Sequence, residues 1–177
     1  MKKISVLPVL LATLLGCTPA DSRFQFMNPL PVTMEGKVVA VKDGDTFIIL
    51  ENKQQVTVRL SDIDCPEKKQ PFGTRAKQFA SDLCFGKLVT VRAAGKHDRY
   101  GRLLGEVFVG DTSINKELVR NGLAWHFTRY SSDQTYADLE LSAREKKLGL
   151  WSEPDAKPPW KWRDHQSELQ LRGKTTK

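Results

Sequence analysis

Three carboxylates and a proline crowd the end of "VRLSDIDCPE", Val58 to Glu67, where Asp62, Asp64 and Glu67 follow a strand-like run that carries Arg59. Like charges at that spacing repel, so the segment implies a positive partner among them. A second acidic pair, Asp43 and Asp45, brackets Gly44 in "DGDT". Two acidic clusters on neighbouring strands suit a hard cation, which takes oxygen ligands. Asp-Gly is also a common turn, so "DGDT" alone carries little weight. An EF-hand is excluded because the twelfth loop position counted from Asp43 is Gln54, not glutamate. Zinc fits poorly, since His97, His126 and His165 are scattered and no close Cys/His spacing exists. Lone histidines so placed read as structural or solvated.

Arginine supplies the other half of the chemistry. Arg59 leads into the acidic turn, and Arg99 and Arg102 lie in "DRYGRLLG". Guanidinium forks match phosphate oxygens two at a time and stay charged at working pH. A cation, a carboxylate and two arginines are the parts needed to attack a phosphodiester, with charge at phosphorus taken up by metal and arginine. Taken singly, each arginine is equally accounted for by a surface ion pair.

These residues need a frame. Short β-rich runs follow Met34: "GKVVAVKDG", "DTFIILEN", "QQVTVRLSDI", "KLVTVRAA" and "LLGEVFVG", separated by turn residues such as Asp43-Gly44, Glu51-Asn52, Gly95 and Gly110. Five short strands predict a small closed barrel. Helical spacing predicts three helices, within "PFGTRAKQFASDLCFG", "SINKELVRNG" and "SSDQTYADLELSAREKKLG". A helix between the third and fourth strands matches the oligonucleotide/oligosaccharide-binding (OB) barrel, giving an α+β, mainly β fold. That analogy says nothing of function by itself. The stretch after Trp151 is polar and proline-rich.

The chain has 177 residues, room for one ordinary domain, and its 40% hydrophobic content suits a packed core. A net charge of +7 favours polyanions such as nucleic acid or an anionic membrane. Residues 1–16, "MKKISVLPVLLATLLG", have the lysines and short apolar run of a secretory signal. The following Cys17 completes "LLGC", which resembles a lipoprotein processing site where the cysteine is acylated; cleavage after Ala20 is the plainer alternative. Residues 17–32 read as a tether and 153–177 as a polar C-terminal tail. Export would leave Cys65 and Cys84 in oxidising surroundings, where a disulfide between them is expected, with two buried thiols as the alternative.

The ordered blocks "VKDGDTFIIL", "VRLSDIDCPE", "DRYGRLLGEVFV", "LVRNGLAW" and "GLWS" resemble the staphylococcal nuclease (thermonuclease) family, over about Gly36 to Ser152. The resemblance implies a nuclease domain at 33–152 and a calcium ion held by Asp45, Asp64 and the backbone carbonyl of Cys65. It implies that Glu67 orients or deprotonates the attacking water, and that Arg59 and Arg102 bind the scissile phosphate. Arg99 and Tyr100 fall where the family engages a terminal phosphate, and Arg120 falls on a helix with a structural salt bridge. DNA and RNA would be cleaved at the 5′ oxygen, leaving 3′-phosphates. Cys65 stands in place of a threonine, which a backbone ligand tolerates, and "KKQPFG" is a shortened loop. The family's base-stacking aromatic has Thr128 and Tyr130 as alternative counterparts. A catalytically inactive OB-fold binding module is the rival reading, but inactive relatives usually lose the Arg/Glu/Arg set that is kept here. The expectation is an exported, monomeric enzyme of the cell envelope, anchored through lipid on Cys17.

A lipoprotein N-terminus carries several acyl chains, enough for firm attachment. Cys17→Ser should therefore move the protein from the membrane to the soluble fraction or leave its precursor unprocessed, as read by fractionation and intact mass. A wild-type protein already soluble, with its N-terminus at Asp21, would remove the lipid reading.

Overall fold

The computed structural model describes residues 32–175. The signal segment, Cys17 and the tether up to residue 31 lie outside the described residues, and the tether's last residue, Val32, already begins the first strand. Strand β1 (Val32–Asp43) is long enough to serve two neighbours. Its first half pairs with β5 (Leu88–His97), from Val32↔Ala93 to Lys37↔Leu88. Its second half pairs with β2 (Thr46–Glu51), from Lys37↔Leu50 to Asp43↔Thr46. β2 turns into β3 (Gln54–Leu60) through Asn52 and Lys53, both at positive φ, as the twist of a two-residue hairpin requires. That turn sets a register in which Thr46 faces Arg59.

Closure comes from β6 (Leu103–Val109), antiparallel to β5 and parallel to β3 through Val58↔Leu103, Arg59↔Leu104 and Leu60↔Gly105. The five long strands thus form the expected closed barrel. Alternate residues point inward, and Val38, Phe47, Ile49, Val58, Val91 and Val107 are fully buried. Two short strands, β4 (Ile63–Asp64) and β8 (Trp125–His126), pair beside the barrel, and β7 (Thr112–Ser113) extends its edge against β6.

Three helices lie inside the segments predicted for them: α1 (Gly73–Cys84), α2 (Ile114–Arg120) and α3 (Gln134–Glu145). Ser113 and Asp133 cap α2 and α3 by accepting from the backbone N–H groups of Lys116 and Thr135. Asn115, fully buried at the start of α2, is the polar hub of the closure. Its Oδ1 accepts from Val107 N at 3.1 Å, and its Nδ2 donates to Ser61 O at 2.9 Å.

Two expectations are corrected. A fourth helix, α4 (Pro159–Thr175), occupies most of the stretch read as a polar tail, after a short 3-10 turn at Gly149–Ser152. Proline at the first helical position costs no hydrogen bond and presets φ. Cys65 and Cys84 are free, buried thiols rather than a disulfide. Cys65 and Ala76 both lie against Gly44, whereas Cys84 sits eight residues further along α1, roughly 12 Å away at helical rise. Cys84 Sγ instead donates to Ala80 O at 3.0 Å.

Asn115→Ala would leave Val107 N and Ser61 O without their partner inside the barrel wall. A loss of about 2–3 kcal/mol is expected from urea unfolding, with the far-ultraviolet spectrum of the folded state unchanged.

Candidate active site

The open end of the barrel where β1, β3 and β4 finish is where the acidic clusters meet. Asp45 follows the turn out of β1, its N–H donating to Asp43 Oδ1 at 3.2 Å. Gly44 is needed there, because a Cβ would stand 2.9 Å from Cys65 Cβ and 3.0 Å from Ala76 Cβ. Asp64 lies on β4, paired with Trp125 of β8, and is buried. Arg59 reaches across from the outer face of β3. Its Nη2 stands 3.0 Å from Asp45 Oδ2 and 2.7 Å from Asp64 Oδ1, while Nη1 donates to the carbonyls of Leu60 and Ile63 at 2.9 and 3.2 Å. Cys65 donates its N–H to Asp45 Oδ2 at 2.7 Å.

The network continues outward on both sides. Thr46 Oγ1 donates to Asp45 Oδ1 at 3.4 Å and accepts from Arg102 Nη1 at 3.3 Å. Asp98 positions Arg102, with 2.7 Å to Nε and 2.6 Å to Nη2, and also accepts from the N–H groups of Tyr100 and Arg102. Burial raises the Asp98 carboxyl, but these donors and the Arg102 charge together outweigh it and hold the group below its ordinary value. Tyr100 is 67% exposed, with the guanidinium carbons of Arg99 and Arg102 4.8 and 5.3 Å from its ring centre. On the other side, Glu67 leaves the barrel in a turn closed by Gln70, whose N–H donates to Glu67 O at 2.8 Å while its Oε1 accepts from Glu67 N at 3.2 Å. A side chain on Gly73 would strike Glu67 O, the Cβ falling 2.0 Å away.

Arg59, Glu67 and Arg102, with Asp45, Asp64 and Cys65, are therefore brought into one connected cluster, and Arg99 with Tyr100 lies at its rim. Asp62 turns away, its carbonyl accepting from Phe127 N at 2.8 Å, with φ +67. Tyr130 is 71% exposed and packs edge-on to Phe127. His126 is buried in β8, and His97 and His165 are exposed. Arg120 pairs with Glu117 on its own helix, as expected of a structural residue.

Residues unforeseen from the sequence complete the cluster: Thr46, Gln70, Asp98 and Arg163. Arg163, on α4, donates to Asp64 Oδ2 at 2.8 Å and to Glu67 Oε1 at 2.7 Å. Its visible signal was "PPWKWRD", in which a proline pair precedes amphipathic residues that can start a helix.

Burial pushes the Asp45 carboxyl up to about 7; Arg59 opposes this, and Asp43 and Asp64 add to it. Arg59 shows the complementary balance: burial lowers it, but Asp45 and Asp64 prevail and hold it above its ordinary value. A buried carboxylate that one guanidinium does not fully compensate is a donor that a divalent cation would stabilise. Among the described residues, no three His, Cys, Asp or Glu side chains stand close enough to hold an ion unaided. The oxygen set here is two carboxylates with main-chain and water oxygens to complete it, which fits a hard cation.

The sign of the Asp45 effect is testable. Its folded value lies above the ordinary 3.8, so the neutral form is favoured by folding. The cation-free protein should be most stable below about pH 4 in this respect and lose stability as pH rises towards 7. In chelator at pH 8, Asp45→Asn should raise unfolding stability, by at most about 4 kcal/mol, and flatten that stretch of the pH profile. An unchanged profile would mean that Asp45 is well compensated already.

A profile of the family described as "Staphylococcal nuclease homologue" matches residues 57–153. The chain is 43% identical over 131 residues to an "uncharacterized endonuclease" of Escherichia coli O157:H7, covering 73% of this chain and 85% of that protein. It is also 43% identical over 146 residues to a "micrococcal nuclease" of Shigella flexneri, covering 76% and 83%. To the "staphylococcal-like nuclease CAN1" of Arabidopsis thaliana it is 32% identical over 127 residues, covering 70% and 39%. With a profile match over more than half its length and relatives this similar along most of theirs, the chain belongs to the staphylococcal nuclease family.

Proposed function

We propose that the protein is a calcium-dependent, sugar-nonspecific nuclease that hydrolyses DNA and RNA at the 5′ oxygen and leaves 3′-phosphate ends. The observation that carries this reading is the unbroken chain of contacts from Arg102 through Thr46, Asp45, Arg59 and Asp64 to Arg163 and Glu67. Two guanidinium groups and a half-exposed carboxylate flank a buried acidic pair, which is the equipment of phosphodiester attack. Relatives named as nucleases support the same reading.

Asp45, Asp64 and the Cys65 carbonyl would hold the calcium ion, which when bound supplies Lewis-acid charge to a phosphate oxygen. Glu67, 42% exposed at its side chain and engaged by Arg163 through Oε1, is reachable by a water whose proton it would accept. Arg59 and Arg102 bind the equatorial phosphate oxygens and stabilise charge that builds there during attack. Arg102 is set for this by Asp98, which fixes its fork before substrate arrives. The loop bearing Arg99 and Tyr100 meets a flanking phosphate. Phosphate contacts dominate such binding, so cleavage should weaken with salt and read little sequence. The reading extends to an exported protein of the cell envelope, on the strength of residues 1–20, and takes it as a monomer.

The test is cleavage of DNA and RNA in calcium and in chelator. Arg59→Lys, Glu67→Gln and Arg102→Lys should each fold yet lower turnover by about a hundredfold or more. The lysines keep charge and lose the planar fork. Asp45→Asn should weaken calcium binding and be partly rescued by added calcium. If the three variants cleave like wild type, or if chelator leaves activity unchanged, the proposal fails.

A further inference from the structure

We propose that α4 is a cation-exchangeable latch: in the cation-free protein Arg163 occupies the charge position that a divalent cation would take, and the two compete. This rests on the calcium reading above and adds a control element to it. Arg59 holds Asp64 Oδ1 at 2.7 Å and Arg163 holds Asp64 Oδ2 at 2.8 Å, so both oxygens of this ligand are engaged by guanidinium. The same Arg163 takes Glu67 Oε1 at 2.7 Å. It therefore covers both the cation ligand and the carboxylate proposed to meet water.

Of the two arginines, only Arg163 is placed to leave. Arg59 is part of a barrel strand, with its side chain 12% exposed and bonded to two backbone carbonyls. Arg163 is 44% exposed and belongs to a helix attached by its first turn. Trp160 stacks on Phe127 at 5.2 Å and 12°, and packs edge-on to Trp125 at 5.7 Å. Gln70 Nε2 donates to Lys157 O at 2.6 Å, just before the helix. From Arg163 to Leu169 every side chain is exposed, so beyond the first turn these residues can leave the surface without uncovering apolar contacts. A divalent cation on Asp64 would repel a guanidinium on the same carboxylate, whereas Arg163 alone brings a single charge. Competition of this kind is reciprocal: whatever factor Arg163 removes from cation affinity, the cation removes from helix docking.

The experiment titrates calcium calorimetrically into the full chain and into Arg163→Gln, and follows amide hydrogen exchange across 159–175 with and without calcium. Arg163→Gln should bind calcium about tenfold or more tightly than wild type. In wild type, saturating calcium should speed exchange in α4; in Arg163→Gln the helix should already exchange fast and not respond. Trp160→Ala, which removes the dock without touching a carboxylate, should reproduce the gain in affinity. Equal or weaker calcium binding by Arg163→Gln would overturn the latch alone, as would slower exchange of α4 in calcium-bound wild type. Calcium binding by neither protein would overturn the metal reading and the latch together.

Discussion

Everything at this end of the barrel depends on keeping Asp45 and Asp64 buried on either side of the Arg59 guanidinium. Charges removed from water are costly unless geometry and hydrogen bonds repay them. The barrel supplies that geometry through its ladders: Arg59 pairs through its backbone with Thr46 on one side and Leu104 on the other, at the position where β3 is held by both β2 and β6. Leu60 N donates to Asp45 O at 2.8 Å and Ser61 N to Gly105 O at 2.9 Å, so the chain is pinned immediately after the arginine. Asn115 ties the same place to α2 from within. The arginine is rigid because the strand closing the barrel is the strand that carries it.

Rigidity falls away outward from that centre. Arg102 is held by one half-buried carboxylate and a long contact to Thr46, so it keeps its orientation yet remains reachable by a phosphate. Glu67 is fixed by its backbone turn, while its half-exposed side chain is held by Arg163 alone among the described residues, which suits a group that must exchange partners. Arg163 is the most exposed of the three arginines that touch the site. The gradient separates work that needs fixed charge from work that needs a partner to come and go.

Much of this was legible because it obeys local rules. The alternation in "QQVTVRLSDI" and "LLGEVFVG" marks strands with one inward face, and the clustering of Asp62, Asp64 and Glu67 marks a place where charge must be compensated. Other parts have no local signature. Asp98 looks like an ordinary loop acid until the turn at Gly101 folds Arg102 back onto it. The bridge expected between Cys65 and Cys84 followed from compartment and number, whereas both are buried free thiols, Cys65 beside Gly44 and Cys84 bonded to Ala80 on its own helix. Among the described side chains of α4, those packed against the domain lie in its first turn and Arg163 to Leu169 are exposed. Periodicity, the usual helix signal, was absent for a physical reason.

The docking of α4 is nevertheless tied to the site by a short physical path. Trp125 pairs with Asp64 in the β4–β8 ladder and presents its ring to Trp160 of α4. On its other side the Trp125 ring meets Trp151 at 4.5 Å, and the Arg144 guanidinium lies over both rings. Gln70 joins the two ends again, since it closes the Glu67 turn and also donates to Lys157 ahead of α4. The residues that set Asp64 and Glu67 in place are thus the residues, or their ladder partners, on which the helix seats itself. A change in the charge borne by those carboxylates acts on Arg163 directly, while its seat on Trp125, Phe127 and Gln70 remains in place to receive it again.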